Sequence, residues 1–165
     1  MSPAQRFILA YLGWVGLLFA LFYLDTNPLS HWINETQREM LLDMLRATLG
    51  EERIRGIDIL AHPKFRIFIT QACNGLIPYY LYLAAVLAYP VVWSKRLLWA
   101  LIGYGVISVV NLLRLIFVTA MVERAPSNFS WSHDLVGNLL LMATGMALFL
   151  LFVRFSEGRE GAQRR

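Results

Sequence analysis

The 165-residue chain is 58% hydrophobic and only 16% charged, with a mean hydropathy of +0.53. This composition is too apolar for an ordinary soluble domain, so we expect an integral membrane protein. The net charge of +4 forms no basic stripe interleaved with aromatic residues, and nucleic acid is therefore not an expected partner. Without an internal repeat, low-complexity tract or linker, residues 1–165 are expected to form one membrane-embedded domain.

Four apolar stretches are long enough to cross a bilayer as helices, which requires about 20 residues. They comprise residues 7–24, 76–93, 97–122 and 135–153. Arg6 precedes the first stretch as in a secretory signal, but the apolar run is longer than a signal core and no small-residue cleavage pattern closes it. We therefore expect a retained helix and an all-α membrane protein with about four transmembrane helices.

A polar segment, residues 25–72, separates the first two stretches. Within residues 30–49 apolar side chains recur near helical spacing, and Gly50 follows, which predicts an amphipathic helix on the membrane surface or across the ends of the spans. Between residues 54 and 69, apolar and polar residues alternate on both sides of Ala61-His62-Pro63. This alternation predicts a short β-hairpin.

Basic residues in short loops predict the orientation, because they favour the cytoplasmic side of the membrane. Lys95 and Arg96 lie between the second and third stretches, and Arg6 falls on the same side. The chain ends with four more arginines, Arg154, Arg159, Arg164 and Arg165. We therefore expect cytoplasmic termini, with the nearly charge-balanced segment 25–72 and residues 123–132 outside.

Arg114 lies inside the third apolar stretch. A charged side chain in hydrocarbon costs about 2.5–3.5 kcal/mol even on the insertion scale, so such a residue usually has a partner and a function. The predicted topology puts Cys73 and His133 at outer helix N-termini and Arg114 about 10 Å below the outer end of its helix. Because a long arginine side chain can snorkel back most of that distance, all three residues fall near one depth.

These three residue types are chemically complementary. The thiolate is the nucleophilic form of cysteine, and a helix N-terminus, a cation or a histidine favours it. Histidine can take and return protons near neutral pH, and arginine can stabilise a thiolate or a tetrahedral oxyanion. Cys73, Arg114 and His133 together therefore predict an acyl-transfer site. Cys73 is the chain's single cysteine, so it cannot form an intrachain disulfide.

Two asparagines are candidate supporting or substrate-binding residues. Asn111 precedes Arg114 by three positions and shares its helix face, while Asn74 adjoins Cys73. Polar helix packing and a turn, respectively, are the structural alternatives for these two residues. No metal-ligand cluster or phosphate-binding glycine loop is visible, so neither a metal nor a cofactor is expected.

The three proposed site residues also have structural interpretations. Cys73 could be a small buried side chain, His133 part of a helix cap, and Arg114 a contact to a carbonyl or a lipid phosphate. Asp134 adjoins His133 but is expected to cap the fourth span rather than to orient the imidazole ring.

The sequence resembles the exosortase/archaeosortase family of prokaryotic membrane transpeptidases. The resemblance covers about residues 71–151 and rests on Ala72-Cys73-Asn74-Gly75 at the start of a span, Asn111-Leu112-Leu113-Arg114 in the next, and His133 before the last. Asn74 departs from the small residue usual between the cysteine and the glycine. The short chain resembles a compact branch such as exosortase H.

The resemblance implies a multi-pass protein of the prokaryotic cell (inner) membrane, with its active site at the extracytoplasmic face. Its substrates would be secreted proteins ending in a recognition motif, a transmembrane helix and a basic tail, and membrane lipids would be further partners. Cys73 would form a thioester, His133 would act as general acid and base, and Arg114 would stabilise thiolate and oxyanion. A cell-surface amine would then accept the acyl group. A hydrolytic intramembrane cysteine protease and a non-catalytic membrane assembly factor remain as alternatives.

Overall fold

The computed structural model describes residues 1–24 and 26–157. Asp25 and the arginines at 159, 164 and 165, which entered the orientation argument, lie outside the described residues. Within the described part, five α-helices and a three-stranded sheet follow one another along the chain. They are α1 (Pro3–Leu18), α2 (Pro28–Leu49), β1 (Ile54–Arg55), β2 (Asp58–His62), β3 (Phe65–Phe68), α3 (Leu76–Ala88), α4 (Trp93–Arg124) and α5 (Asn138–Glu157).

In the described ranges, three helical segments are long and apolar enough to cross a membrane: Pro3–Tyr23, Trp93–Arg124 and Pro126–Ser156. The predicted all-α membrane fold is thus confirmed. The second predicted span is shorter than expected, because α3 has only 13 residues and is about 20 Å long. It ends at this point because Pro90 disfavours a helical conformation of Tyr89, whose backbone is extended at φ −75° and ψ 135°.

The polar segment forms the predicted amphipathic helix and hairpin. The Asn27 side chain caps the start of α2 by accepting a hydrogen bond from the Ser30 N–H at 2.9 Å, and Gly50 ends the helix at a φ of 98°. A positive φ of this kind favours glycine, which has no Cβ. The hairpin is the antiparallel pair β2 and β3, and β1 pairs with the other edge of β2.

The polar segment packs against one end of the helix bundle. The α2 side chains Leu42 and Leu45 are buried with Ile59 of the sheet and with Leu115 and Val118 of α4. The Arg53 guanidinium also donates two hydrogen bonds, of 2.8 and 3.1 Å, to the Glu123 carboxylate near the end of α4. The amphipathic helix therefore packs against the sheet and α4, and we call the end of the bundle that carries the sheet the sheet end.

Aromatic side chains pack the opposite end of the bundle. At this end α3 is followed by α4, and α5 ends. The Tyr82 hydroxyl donates a 2.9 Å hydrogen bond to the Trp99 carbonyl, and Phe152 packs edge-on against the Trp99 ring. A Cβ at Gly103 would overlap the Tyr82 ring. Glycine at this position thus lets α3 and α4 approach closely.

Candidate active site

Cys73 lies in a short 3-10 turn, Gln71–Cys73, at the sheet end. Cys73 was predicted at the outer N-terminus of the second span, and the structure places it in the turn before α3, from which Gly75 separates it with a φ of 82°. A Cβ at Gly75 would also crowd the Asn111 side chain, at 3.1–3.3 Å. The cysteine is 6% exposed.

His133 approaches Cys73 from the opposite wall of the site. Its Nε2 atom lies 3.9 Å from Cys73 Sγ, within hydrogen-bonding range for sulfur. His133 was predicted at a helix N-terminus, but it lies inside a π-helical segment, Trp131–Gly137, that continues directly into α5. A π-turn adds a residue to the helical turn and frequently occurs at functional sites.

Neighbouring side chains hold the imidazole ring of His133 on one face and at the edge that carries Nδ1. The Phe129 ring stacks on it with a centroid separation of 5.0 Å and an interplanar angle of 16°. Nδ1 lies 2.8 Å from an Asp134 carboxylate oxygen, and the Ser130 hydroxyl hydrogen-bonds the other oxygen at 3.1 Å. The expectation that Asp134 caps the fourth span is therefore wrong, because its carboxylate turns back to the ring.

Arg114 is buried beside this histidine, with 2% of the residue exposed. Its Nη2 donates to Asn138 Oδ1 at 3.0 Å and to the His133 carbonyl at 3.5 Å. Arg114 was expected to reach the depth of Cys73 and His133 by snorkelling, and these partners hold its guanidinium beside His133 inside the protein. Within the described part of the chain, the buried Nε has no hydrogen-bond partner. A Cβ at Gly137 would lie 2.5 Å from Nε, so only glycine leaves room for this side chain.

Asn111 links Arg114 to the Cys73 turn. Its side-chain oxygen accepts from Arg114 Nη1 at 3.5 Å, and its Nδ2 donates to the Cys73 carbonyl at 2.9 Å. Asn74, only 1% exposed, instead faces α2, where its Nδ2 donates to Asn34 Oδ1 at 3.1 Å. Asn111 therefore joins two site residues, and Asn74 fixes the Cys73 turn to α2.

The structure thus brings Cys73, His133, Arg114 and Asn111 together. A family model of transmembrane exosortases (Exosortase_EpsH) matches residues 3–152, about nine-tenths of the chain. The chain belongs to the transmembrane exosortase family. Neither the curated proteins nor the solved structures contain a match to it. Family membership and the three long apolar helices make it a multi-pass membrane exosortase.

The candidate site includes residues that the sequence analysis missed. Asn138 and Gly137 contact Arg114, while Phe129 and Ser130 support His133 and its carboxylate partner. One available signal was Asn138, because a polar side chain inside an apolar stretch is costly without a partner. Among the described residues, no group of three or more His, Cys, Asp or Glu side chains is arranged to hold a metal ion.

Proposed function

We propose that this exosortase is a cysteine transpeptidase that removes the C-terminal sorting signal of exported proteins and transfers the remaining protein to a cell-surface amine. The observation that carries the proposal is the 3.9 Å approach of Cys73 Sγ to His133 Nε2. A nucleophile paired with a base, which a third group orients, is the usual arrangement for covalent catalysis. Here this pair adjoins a buried arginine, Arg114.

The first half-reaction forms an acyl-enzyme. The Cys73 thiol gives its proton to His133 Nε2, and Sγ bonds to the scissile carbonyl carbon while the carbonyl oxygen becomes an oxyanion. Collapse of this intermediate breaks the C–N bond, and His133 returns the proton to the leaving amine. The exported part of the substrate is then held on Cys73 as a thioester.

The second half-reaction releases the thioester to an acceptor. An amine attacks the carbonyl carbon, gives a proton to His133, and displaces Cys73 Sγ, which recovers that proton. Water in place of the amine would give a free carboxylate and make the same residues a hydrolytic protease. Family membership favours the amine, since exosortases resemble sortases in their proposed chemistry.

Arg114 would stabilise the negative charge that develops in both half-reactions. Its Nη atoms are held by Asn111, Asn138 and the His133 carbonyl, which fixes the guanidinium beside the Cys73 turn. The buried Nε packs against Gly137, whereas Nη1 shares the partner Asn111 with the Cys73 carbonyl and is the donor that would face the oxyanion. A preorganised donor in a poorly solvated site stabilises such charge strongly.

An apolar groove of about 740 Å³ between α1, α3 and α5 is where we place the transmembrane helix of the sorting signal. Its walls include Phe7 of α1, Pro78 of α3, and Leu139 and Gly145 of α5. Pro78 and Leu139 lie shortly after Cys73 and His133 in the chain, so the groove continues from the site toward the opposite end of the bundle. Met146 lines it yet is 65% exposed, which leaves the groove open at the side.

Charge supports an extracytoplasmic position for the active site. Lys95, Arg96 and Arg154 lie at the opposite end of the bundle, where Lys95 donates to the Ser156 carbonyl and Arg96 to the Tyr89 carbonyl. Basic residues favour the cytoplasmic side. The sheet end would then face outward from a prokaryotic inner membrane, and both chain termini would be cytoplasmic.

Mass spectrometry of a substrate's C-terminus tests the proposal. The candidate is a secreted protein, encoded near this gene, that ends in an apolar helix and a basic cluster. It is co-expressed with the wild-type exosortase or with Cys73→Ala, whose presence in the membrane is checked by immunoblot. We expect a truncated, amine-modified C-terminus with the wild type and an intact one with Cys73→Ala.

The other outcomes separate the alternatives. A truncated end with a free carboxylate would identify a protease, since water would then be the acceptor. Equal truncation with wild type and Cys73→Ala would remove Cys73 from the chemistry. An intact substrate in both strains, repeated over all such candidates, would favour a non-catalytic assembly factor.

A further inference from the structure

We propose that Asp134, held by Ser130, is a positioning residue that fixes the tautomer and the direction of the His133 ring. This inference rests on the proposed function in that it assumes His133 acts as the base for Cys73. It gives Asp134 and Ser130 a role in the site, and neither residue bears on the identity of substrate or acceptor.

The hydrogen bonds of His133 define its tautomer. An ionised carboxylate only accepts hydrogen bonds, so the 2.8 Å contact places a proton on Nδ1. In the neutral ring Nε2 then carries the lone pair, and Nε2 is the atom 3.9 Å from Cys73 Sγ. Asp134 thus makes the nitrogen that faces the thiol a proton acceptor.

The Asp134 contact depends on more than adjacency in sequence. Neighbouring residues on a helix do not normally face each other, so the Asp134 and His133 side chains must both be turned toward a common point. Ser130 holds the Asp134 carboxylate in this direction, because its hydroxyl hydrogen-bonds the carboxylate oxygen that does not contact the ring, at 3.1 Å. About 63% of the Asp134 side chain stays exposed, so the ionised carboxylate keeps much of its hydration.

The ring has little freedom to turn away from this arrangement. Phe129 covers one face, Asp134 holds Nδ1, and Cys73 lies at Nε2. Phe129 is itself packed against Phe65 of β3, with ring centroids 5.4 Å apart. Among the described residues, the titratable or charged groups that contact His133 are Cys73 from the turn before α3, Arg114 from α4 and Asp134 from its own segment.

Alkylation of Cys73 by iodoacetamide tests the inference in the purified full-length protein without any substrate. Because Cys73 is the only cysteine, the rate of labelling between pH 5 and 10 reports its reactivity alone. The variants are Asp134→Asn, Ser130→Ala and His133→Gln, with Glu39→Gln, an exposed acid on α2, as the matched control. Gel filtration in detergent selects variants that remain folded.

We expect Asp134→Asn to lower the labelling rate near pH 7 about tenfold, because an amide can donate to Nδ1 and turn the N–H of the opposite tautomer toward Sγ. Ser130→Ala should act in the same direction more weakly, and Glu39→Gln should match the wild type. In the His133→Gln background, Asp134→Asn should have no further effect, since Asp134 acts only through the ring.

Two results would overturn the inference. One is a labelling profile of Asp134→Asn that superimposes on the wild type. The other is a labelling rate that Asp134→Asn lowers equally in the wild-type and His133→Gln backgrounds. That result would indicate a general structural effect. Both readouts are independent of processing, so an absent transpeptidase product would contradict the proposed function and leave this test intact.

Discussion

The two ends of the helix bundle are packed by different kinds of side chain. At the sheet end, Arg114, Asn111 and Asn74 are 2%, 1% and 1% exposed, and each donates hydrogen bonds to specific partners. At the opposite end, the fully buried Phe152 packs edge-on against Trp99. Aromatic packing dominates the opposite end, whereas the sheet end combines an apolar core with buried polar side chains around the candidate site.

This difference matters because buried polar groups cost free energy unless they are hydrogen-bonded. An all-apolar sheet end would be a simpler way to join the same helices. We therefore infer a role beyond packing for the buried arginine, for which Gly137 leaves room and whose guanidinium Asn138 holds. We infer that substitutions at the sheet end chiefly affect chemistry and that those at the opposite end chiefly affect stability.

After the nucleophile Cys73 itself, the largest effect on processing is expected from the histidine of the site, His133. His133→Gln should slow processing about 100- to 10,000-fold, since it removes the general acid and base. His62→Gln is the matched control, because His62 Nδ1 only accepts a hydrogen bond from the Lys64 N–H in the turn between β2 and β3. Pulse-chase measurement of truncated substrate compares the two, and equal losses would contradict the assignment of His133.

The next largest effect on processing is expected from the buried arginine, Arg114. Arg114→Gln is expected to slow processing about 100- to 1,000-fold, the usual cost of losing an oxyanion donor. Arg124→Gln, an exposed arginine in the last turn of α4, should process at nearly the wild-type rate. The same pulse-chase assay applies, with membrane accumulation measured in parallel. An Arg114→Gln protein that accumulates and processes normally would contradict the role of the guanidinium.

At the opposite end the prediction concerns stability. Gly103→Ala should destabilise the protein by about 1–3 kcal/mol, because its Cβ would overlap the Tyr82 ring in a tightly packed contact. Gly105→Ala on the same helix meets nothing within 4 Å and should be neutral or stabilising. Thermal unfolding in detergent measures both, while Cys73 alkylation of the folded fraction should stay unchanged. Similar melting temperatures for the two variants would contradict this packing argument.

The smallest effect is expected in the apolar groove. Gly145→Leu would fill space that the groove leaves open, since a Cβ at Gly145 meets nothing within 4 Å. We expect processing at limiting substrate to fall severalfold while Cys73 alkylation is unaffected. Gly105→Leu, equally uncrowded but outside the groove, is the control. Unchanged processing by Gly145→Leu would place the substrate helix elsewhere.

The sequence predicted those parts of the fold that local pattern and bilayer thickness determine. The long apolar helices, the amphipathic helix ending at Gly50 and the β2–β3 hairpin follow from hydropathy, periodicity and turn residues. The early end of α3 was also accessible, because Pro90 stands inside the predicted second span. That span was assigned from hydropathy alone, and this made it too long.

The contacts of the candidate site were less accessible to sequence reasoning. The π-helical turn around His133 depends on how α5 fits against α4, and no local propensity specifies it. If the helix is assumed to be regular, the position of Asp134 is typical of a helix cap, and the sequence indicates no role for Gly137. The proximity of Cys73 and His133 could be inferred because topology sets depth in a membrane, whereas side-chain partners depend on tertiary packing.

The most direct test of the central claim is capture of the acyl-enzyme on Cys73. The exosortase is co-expressed with a candidate substrate, digested at low pH, and the Cys73 peptide is examined by mass spectrometry. We predict an adduct carrying the carboxyl end of the substrate's exported part, released as a hydroxamate by hydroxylamine and lacking in Cys73→Ser. Processed substrate that forms at an undiminished rate with Cys73→Ser, and with no adduct on the wild type, would contradict the account.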